Sequence, residues 1–173
     1  SEGKLKSQLN SQIARLLADP KSDRFVTHFV RRWLDLDNIG IMPPAEEFLV
    51  YYRDNLGAAM RGETETFFRH VLDENLPLGE FLSADYSFLN RELALHYGIG
   101  GVEGNELQRV SLQGGGRGGL LGQGAFLTAS ANGVDTSPVV RGVYVLEKLL
   151  GYTPPPPPPD VPDIEPDIRG AKT

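Results

Sequence analysis

The residues of this chain that could do chemistry are thinly spread, and the densest group is Gly114-Gly115-Gly116-Arg117-Gly118-Gly119. Its letters satisfy a G-x-G-x-x-G loop, which binds pyrophosphate through backbone N–H groups at a helix N-terminus. One candidate strand precedes it and a candidate helix comes after, but the surrounding βαβ unit is missing and there is no Walker lysine. Asp135 lies at roughly the spacing of a ribose-binding acid, about 20 residues on, yet in turn-rich sequence rather than at the end of a second strand. A flexible joint is the stronger reading. Arg117 and Arg141 each stand beside glycine in a lightly charged, apolar stretch. Such arginines can clamp an anion or a haem propionate; the plainer role, tying loop carbonyls together, carries more weight.

Other constellations are weaker. Glu92 and His96 are four apart and could form half a metal site, while His70 and Asp73 are three apart. Both pairs are read first as local helix partners, with His96 favoured in a last turn by the helix dipole. His28 lies among arginines, which repel a cation. Ser111, Ser130, Thr136 and Ser137 include no G-x-S-x-G elbow, and the histidines fall in the other half of the chain. The neighbouring acids Glu46-Glu47 and Asp73-Glu74 read as solvated helix faces. No catalytic residue and no metal ligand is assigned.

Composition bounds the setting. The 173 residues carry 17 basic and 23 acidic side chains, a formal charge of −6, which argues against non-specific nucleic-acid binding. Neither half hides a basic module: residues 1–100 hold 11 basic and 15 acidic residues, the remainder 6 and 8. Cysteine is absent, which removes disulfides, thiolate metal sites and covalent haem attachment from these residues. Apolar runs fall far short of the roughly 18 residues of a membrane span. Ser1-Glu2-Gly3 reads as a cut edge rather than a native start, with no charged-then-apolar leader.

Elements must position these groups, and glycine and proline divide the chain. Eleven of the 20 glycines lie between Gly98 and Gly124, and eight of the 13 prolines between Pro154 and Pro166. The expected domains are a helical one over 1–99, a smaller Gly-rich helical one over 104–152, and a proline-rich linker over 153–173. The predicted class is all-α, with at most one short strand or hairpin. Leu5, Leu9, Ile13, Leu16 and Leu17 give a first helix closed by Asp19-Pro20. Phe25, Phe29, Trp33 and Leu36 give a second its apolar stripe, opposite Arg24, His28, Arg31, Arg32 and Asp35.

A longer helix over 45–72, interrupted near Gly57 or Gly62, turns Phe67, Phe68, Val71 and Leu72 inward and pairs Glu65 with Arg69. A short helix near Leu78 to Leu82 comes next. Asp85 or Ser87 caps a helix bearing Leu89, Leu93 and Tyr97, with Gly98 ending it. Residues 107–112 alternate as a short strand. Leu120 to Ala129 reads as a buried helix, Asn132-Gly133 as a turn. Thr136 or Ser137 caps a last helix with Pro138 at its first position, stopped by Gly151. Pro154 to Pro159 is six prolines, a polyproline II rod of roughly 19 Å. It reads as a spacer, kept solvated by Asp160, Asp163, Glu165 and Asp167, ahead of a ligand for an aromatic groove. A spacer implies more chain beyond Thr173.

Three stretches carry a family likeness: Leu89-Asn90-Arg91-Glu92-Leu93-Ala94-Leu95-His96-Tyr97-Gly98, Arg117-Gly118-Gly119-Leu120-Leu121, and Thr136-Ser137-Pro138-Val139-Val140-Arg141-Gly142. Leu146-Glu147-Lys148-Leu149-Leu150-Gly151, running into the proline rod and Val161-Pro162, completes the pattern. Together they resemble the large planctomycete-type, cytochrome c-associated proteins built from tandem domains of unknown function, over nearly the whole chain. The resemblance implies a cytochrome c-like domain upstream and a Cys-x-x-Cys-His haem motif downstream, hence haem c in the parent and a periplasmic or otherwise extracytoplasmic site. No cofactor is expected within these residues. Partners would be neighbouring domains of the same polypeptide, haem-bearing ones included, with no nucleic acid and no membrane span. The family offers no catalytic residues to carry over; Arg117, Thr136, Ser137, Arg141 and Gly142 match its motif and form the candidate functional surface.

Three functions stand as expectations. The leading one is a non-enzymatic scaffold that positions haem domains for electron transfer. The others are a redox-enzyme pocket completed by a missing haem domain, and a polysaccharide- or partner-binding module using Tyr51, Tyr52 and Tyr86.

Overall fold

The structure, a computed structural model, describes residues 5–40, 55–112, 114, 116–131 and 137–156. Helices α1 (Leu5–Leu17) and α2 (Ser22–Trp33) meet at a corner where the periodicity breaks. Asp19 Oδ1 accepts the Lys21 N–H at 2.9 Å and Ser22 Oγ donates to Leu17 O at 2.9 Å, which closes that corner. The expected stripe of α1 faces solvent, with Leu9, Ile13 and Leu16 all exposed. On α2 the expected inward face is also displaced. Val26 and Val30 are buried with Leu34 beyond them, whereas Phe25 is 55% and Phe29 44% exposed. Both sets have helical spacing, and the compact β-branched pair fits the α2–α3 contact while the phenylalanines stay on the outer side.

Helix α3 (Leu56–Asp73) runs unbroken through Gly57 and Gly62, against the interruption those glycines suggest. A glycine costs only about 1 kcal/mol inside a helix, and at 62 it makes room: a Cβ there would stand 3.0 Å from Leu107 Cδ1. Met60, Glu63, Thr64, Phe67 and Val71 form the buried stripe, with Phe68 and Leu72 packed on its margin. The expected Glu65–Arg69 pair does not form. Glu65 accepts from Arg31 Nε at 2.7 Å, while Arg69 reaches Asp73 at 2.7 Å and Asp23 at 3.1 Å. The start of the expected long helix, and the turn at Asn132-Gly133, lie outside the described residues.

After α4 (Glu80–Ser83) the chain forms a strand where the spacing predicts a capped helix. Strand β1 (Tyr86–Leu89) pairs antiparallel with β2 (Gln108–Ser111) in the register Tyr86↔Ser111 to Leu89↔Gln108. The protein is therefore mostly helical with a two-stranded sheet, not strictly all-α. The aromatic alternation of Tyr86-Ser87-Phe88-Leu89 suits a pleated ribbon. The helix α5 (Arg91–Tyr97) begins later, capped by Asn90, whose side chain accepts the Leu93 N–H at 3.0 Å. Gly98 closes it in the left-handed region at φ 72°, as expected.

Beyond the glycines, the expected buried helix is split. A 3-10 turn over Leu120–Gly122 gives way at an extended Gln123 to α6 (Gly124–Ala129). Helix α7 (Pro138–Lys148) has the expected start, Pro138 at its first position and Ser137 Oγ accepting the Val140 N–H at 3.3 Å. It seals the open end of α2: Tyr144 donates to Leu34 O at 2.6 Å and packs edge-on against Phe126, and Trp33 Nε1 donates to Lys148 O. One hydrophobic cluster thus takes residues from Val26 through to Tyr144.

Candidate functional site

The glycine run is seated on α4. Gly119 donates to Ala84 O at 3.1 Å, and a Cβ at Gly118 or Gly119 would stand 2.8 Å from Ala84 O or 2.5 Å from Phe81 O. Two of its glycines are thus required by close packing against backbone. Arg117 leaves this loop with its guanidinium 4.1 Å over the Tyr97 ring, and Nη1 donates to Gly122 O at 2.7 Å. Arg141 works at the other end of α6, donating to Ser130 Oγ at 3.1 Å and Leu127 O at 3.2 Å. Both arginines tie backbone carbonyls. Ser137 caps α7, exposed Gly142 lies along it, and Thr136 lies outside the described residues.

The histidines do not gather. His70 packs edge-on against Tyr86 and Phe88, with ring centroids 5.6 and 5.3 Å away, and Asp73 is engaged by Arg69 instead. Desolvation first and the Arg117 charge second hold His96 below the usual imidazole range. Among the described residues no group of three or more His, Asp or Glu could hold a metal ion. Tyr86 is buried under Arg109, whose guanidinium lies 3.9 Å over its ring, so it offers no exposed binding face. Tyr51 and Tyr52 fall outside the described residues.

A different group occupies the centre. Glu63 is 1% exposed on α3 and carries no ion pair among the described residues. Ser87 Oγ of β1 donates to its Oε1 at 2.6 Å, and the Tyr97 hydroxyl of α5 donates to its Oε2 at 2.6 Å. That same tyrosine oxygen accepts the Gly124 N–H at the start of α6, at 2.6 Å. Burial outweighs these donors and pushes the Glu63 carboxyl up to about 7. Burial, and then the Glu63 charge, raises Tyr97 above the ordinary phenol range. Next to it Thr64 donates to Gln123 Oε1 at 2.7 Å, and the buried Gln123 Nε2 has no hydrogen-bond partner among the described residues. Gly124 is tightly enclosed: a Cβ there would stand 2.8 Å from the Tyr97 oxygen and 3.0 Å from Met60 Cε, so either side chain would have to shift.

Motif spacing alone misses this group, although a signal for it exists. Glu63 and Thr64 fall on the stripe Leu56, Met60, Phe67, Val71, where a helix of this period buries its residues. A carboxylate in that register needs donors, and only the fold shows that they come from Ser87 and Tyr97.

An apolar groove of about 660 Å³ opens on the far side of α3, walled by Trp33, Phe68, Phe81, Leu121, Val145 and Leu149. Residues from both ends of the chain build it.

Over residues 1–99 the chain matches the model of a protein family of unknown function, DUF1592, also called PSD4. The chain belongs to the DUF1592 family. Residues 117–173 match a second family of unknown function, DUF1588 or PSCyt3. Both are planctomycete, cytochrome c-associated domains, so the resemblance read from the motifs holds at that level. No curated protein and no solved structure matches the chain. In this DUF1592 chain the Glu63 group joins the two matched segments: Glu63, Ser87 and Tyr97 come from the first, Arg117, Gln123 and Gly124 from the second. Among the described residues no helix is long and apolar enough to cross a membrane.

Proposed function

We propose that this chain is a structural joint within an extracytoplasmic, cytochrome c-associated protein, holding haem-bearing neighbours in fixed relation for electron transfer. The observation that carries the reading is the Glu63–Tyr97–Gly124 connection, which locks the DUF1592 and DUF1588 segments into one core. The polar groups suited to chemistry are spent internally: Arg117 and Arg141 on carbonyls, Glu63 on hydroxyls. The proline run then sets the spacing to the next domain, and partners are the neighbouring domains of the same polypeptide.

The test is a visible spectrum and haem stain of the parent protein, extended past Thr173 and matured for c-type haem. A covalent haem band is expected, and a colourless, folded and matured protein would sink the reading. Arg117→Ala in that protein separates joint from enzyme pocket. A joint loses thermal stability with an unmoved Soret band and reduction potential; a pocket that clamps propionates shifts both.

A further inference from the structure

Charge is divided unevenly along this chain. Residues 5–33, which hold α1 and α2, carry 6 basic and 2 acidic side chains, and all other residues carry 11 and 21. The helical pair is therefore +4 in a molecule whose remainder is −10. Its two acids are engaged: Asp19 Oδ1 accepts the Lys21 N–H at 2.9 Å, and Asp23 pairs with Arg69 at 3.1 Å. Arg31 is spent on Glu65 at 2.7 Å. Lys6, Arg15, Lys21, Arg24 and Arg32 are exposed and have no ion pair among the described residues.

The same two helices turn apolar side chains to solvent. Leu9, Ile13 and Leu16 share one face of α1, and the stacked Phe25 and Phe29 rings lie 5.8 Å apart on α2. The stripes meet at the corner, where Ile13, Leu16 and Phe25 line an apolar hollow of about 450 Å³ with Lys21 on its rim. Arg24, His28 and Arg32 each precede an aromatic residue of α2, so the basic row runs about 100° around the helix from the aromatic one. Helix α1 stands off the body. From Lys6 to Leu16 every residue but Gln12 is exposed, and the helix is held at its end by Ser22 and Arg69 on Leu17 O. Thirteen residues make a helix that is marginal in water by itself, so its apolar stripe calls for a surface to lie on.

We propose that the α1–α2 end is a peripheral docking surface for an anionic lipid bilayer. Leu9, Ile13, Leu16 and Phe25 enter the boundary between head groups and acyl chains, while Lys21, Arg24 and Arg32 stay at the lipid phosphates. Apolar side chains bordered by lysine and arginine are what such an interface takes up. A second copy is a poor cover for this end, because two such ends carry like charge. The acidic remainder is repelled by the same bilayer, so the long-range field turns the α1–α2 end toward it. This inference is independent of the haem reading, and a colourless parent protein would leave it standing.

The probe is a vesicle of phosphatidylglycerol mixed with phosphatidylcholine, with phosphatidylcholine alone as control, and the full chain is followed by co-sedimentation. Binding is expected on the anionic vesicles and not on the neutral ones. A basic residue near such a surface is worth about fivefold in affinity. Lys21→Glu with Arg24→Glu and Arg32→Glu should therefore weaken binding by roughly a hundredfold or more. Ile13→Gln with Leu16→Gln keeps every charge and should still weaken it by roughly tenfold or more. All five positions are exposed, so the thermal melts of these variants should match the parent's. Because cysteine is absent, Leu16→Cys carries a single nitroxide. On anionic vesicles its relaxation by oxygen should rise and its relaxation by a water-soluble nickel complex should fall. No binding, or equal binding to both vesicles, overturns the proposal, as does a nitroxide that stays open to nickel. Binding to soluble polyglutamate but not to vesicles also overturns it, by giving the face to an acidic polypeptide. So does a lipid-free dimer, seen by sedimentation equilibrium, that Ile13→Gln with Leu16→Gln dissociates.

Discussion

Glu63 receives two hydroxyl donors where a cation would ordinarily stand, and that choice sets the sign of its pH response. Its folded carboxyl titrates at about 7, against 4.5 for the free group. The native state therefore holds the proton more tightly than the unfolded state, so this contribution is complete below about pH 4.5 and fades as pH rises through about 7. At about 1.4 kcal/mol per pH unit of difference, the whole swing is on the order of 3 kcal/mol. Glu63→Gln should flatten the stability profile between pH 5 and 8 and exceed the parent at pH 8, because an amide can donate to Ser87 and accept from Tyr97. Urea midpoints at the two pH values check this; an unchanged slope would move the titration elsewhere. Tyr97→Phe strands the Gly124 N–H and one carboxylate oxygen. A loss of about 2 kcal/mol is expected, larger at pH 8 than at pH 5, readable from the same midpoints.

Among the elements, the glycine run shows how one residue type serves two purposes. Gly114 sits at φ 78° with open space where a Cβ would go, whereas Gly119 at φ 52° faces the α4 backbone. Gly114→Ala should cost about 1 kcal/mol, the strain of a left-handed residue. Gly119→Ala should cost upward of roughly 4 kcal/mol or prevent folding, since backbone cannot yield; paired denaturation curves distinguish them. The helix spans were legible because apolar spacing survives any packing, but the buried side of α2 was not. Its valine and phenylalanine sets share one period, and only the identity of α3 as neighbour chooses between them. Strand β1 hid for a related reason: Leu89, Leu93 and Tyr97 imitate a helical stripe across the Asn90 cap. Arg117 and Arg141 could be singled out from the sequence, yet the carbonyls they bind lie on turns that form only in the folded chain.

For the molecule as a whole, a core taking residues from both family segments predicts one cooperative unit. Calorimetry should give a single transition whose van't Hoff and calorimetric enthalpies agree. Residues 1–112 alone would expose Met60, Glu63 and Phe67 and should lack native near-ultraviolet dichroism; two separate transitions, or a native-like fragment, would sink this view. The seam between α2 and α7 also has a meaning in time. Trp33 and Lys148 are 115 positions apart, and a ribosome adding about 5–20 residues per second needs on the order of ten seconds to get from one to the other. Phe68, Phe81 and Leu121 are made during that interval and α7 only at its close, so the apolar groove they line stays uncovered until synthesis is nearly finished. A cell making this protein has reason to keep a chaperone close until the last helix arrives.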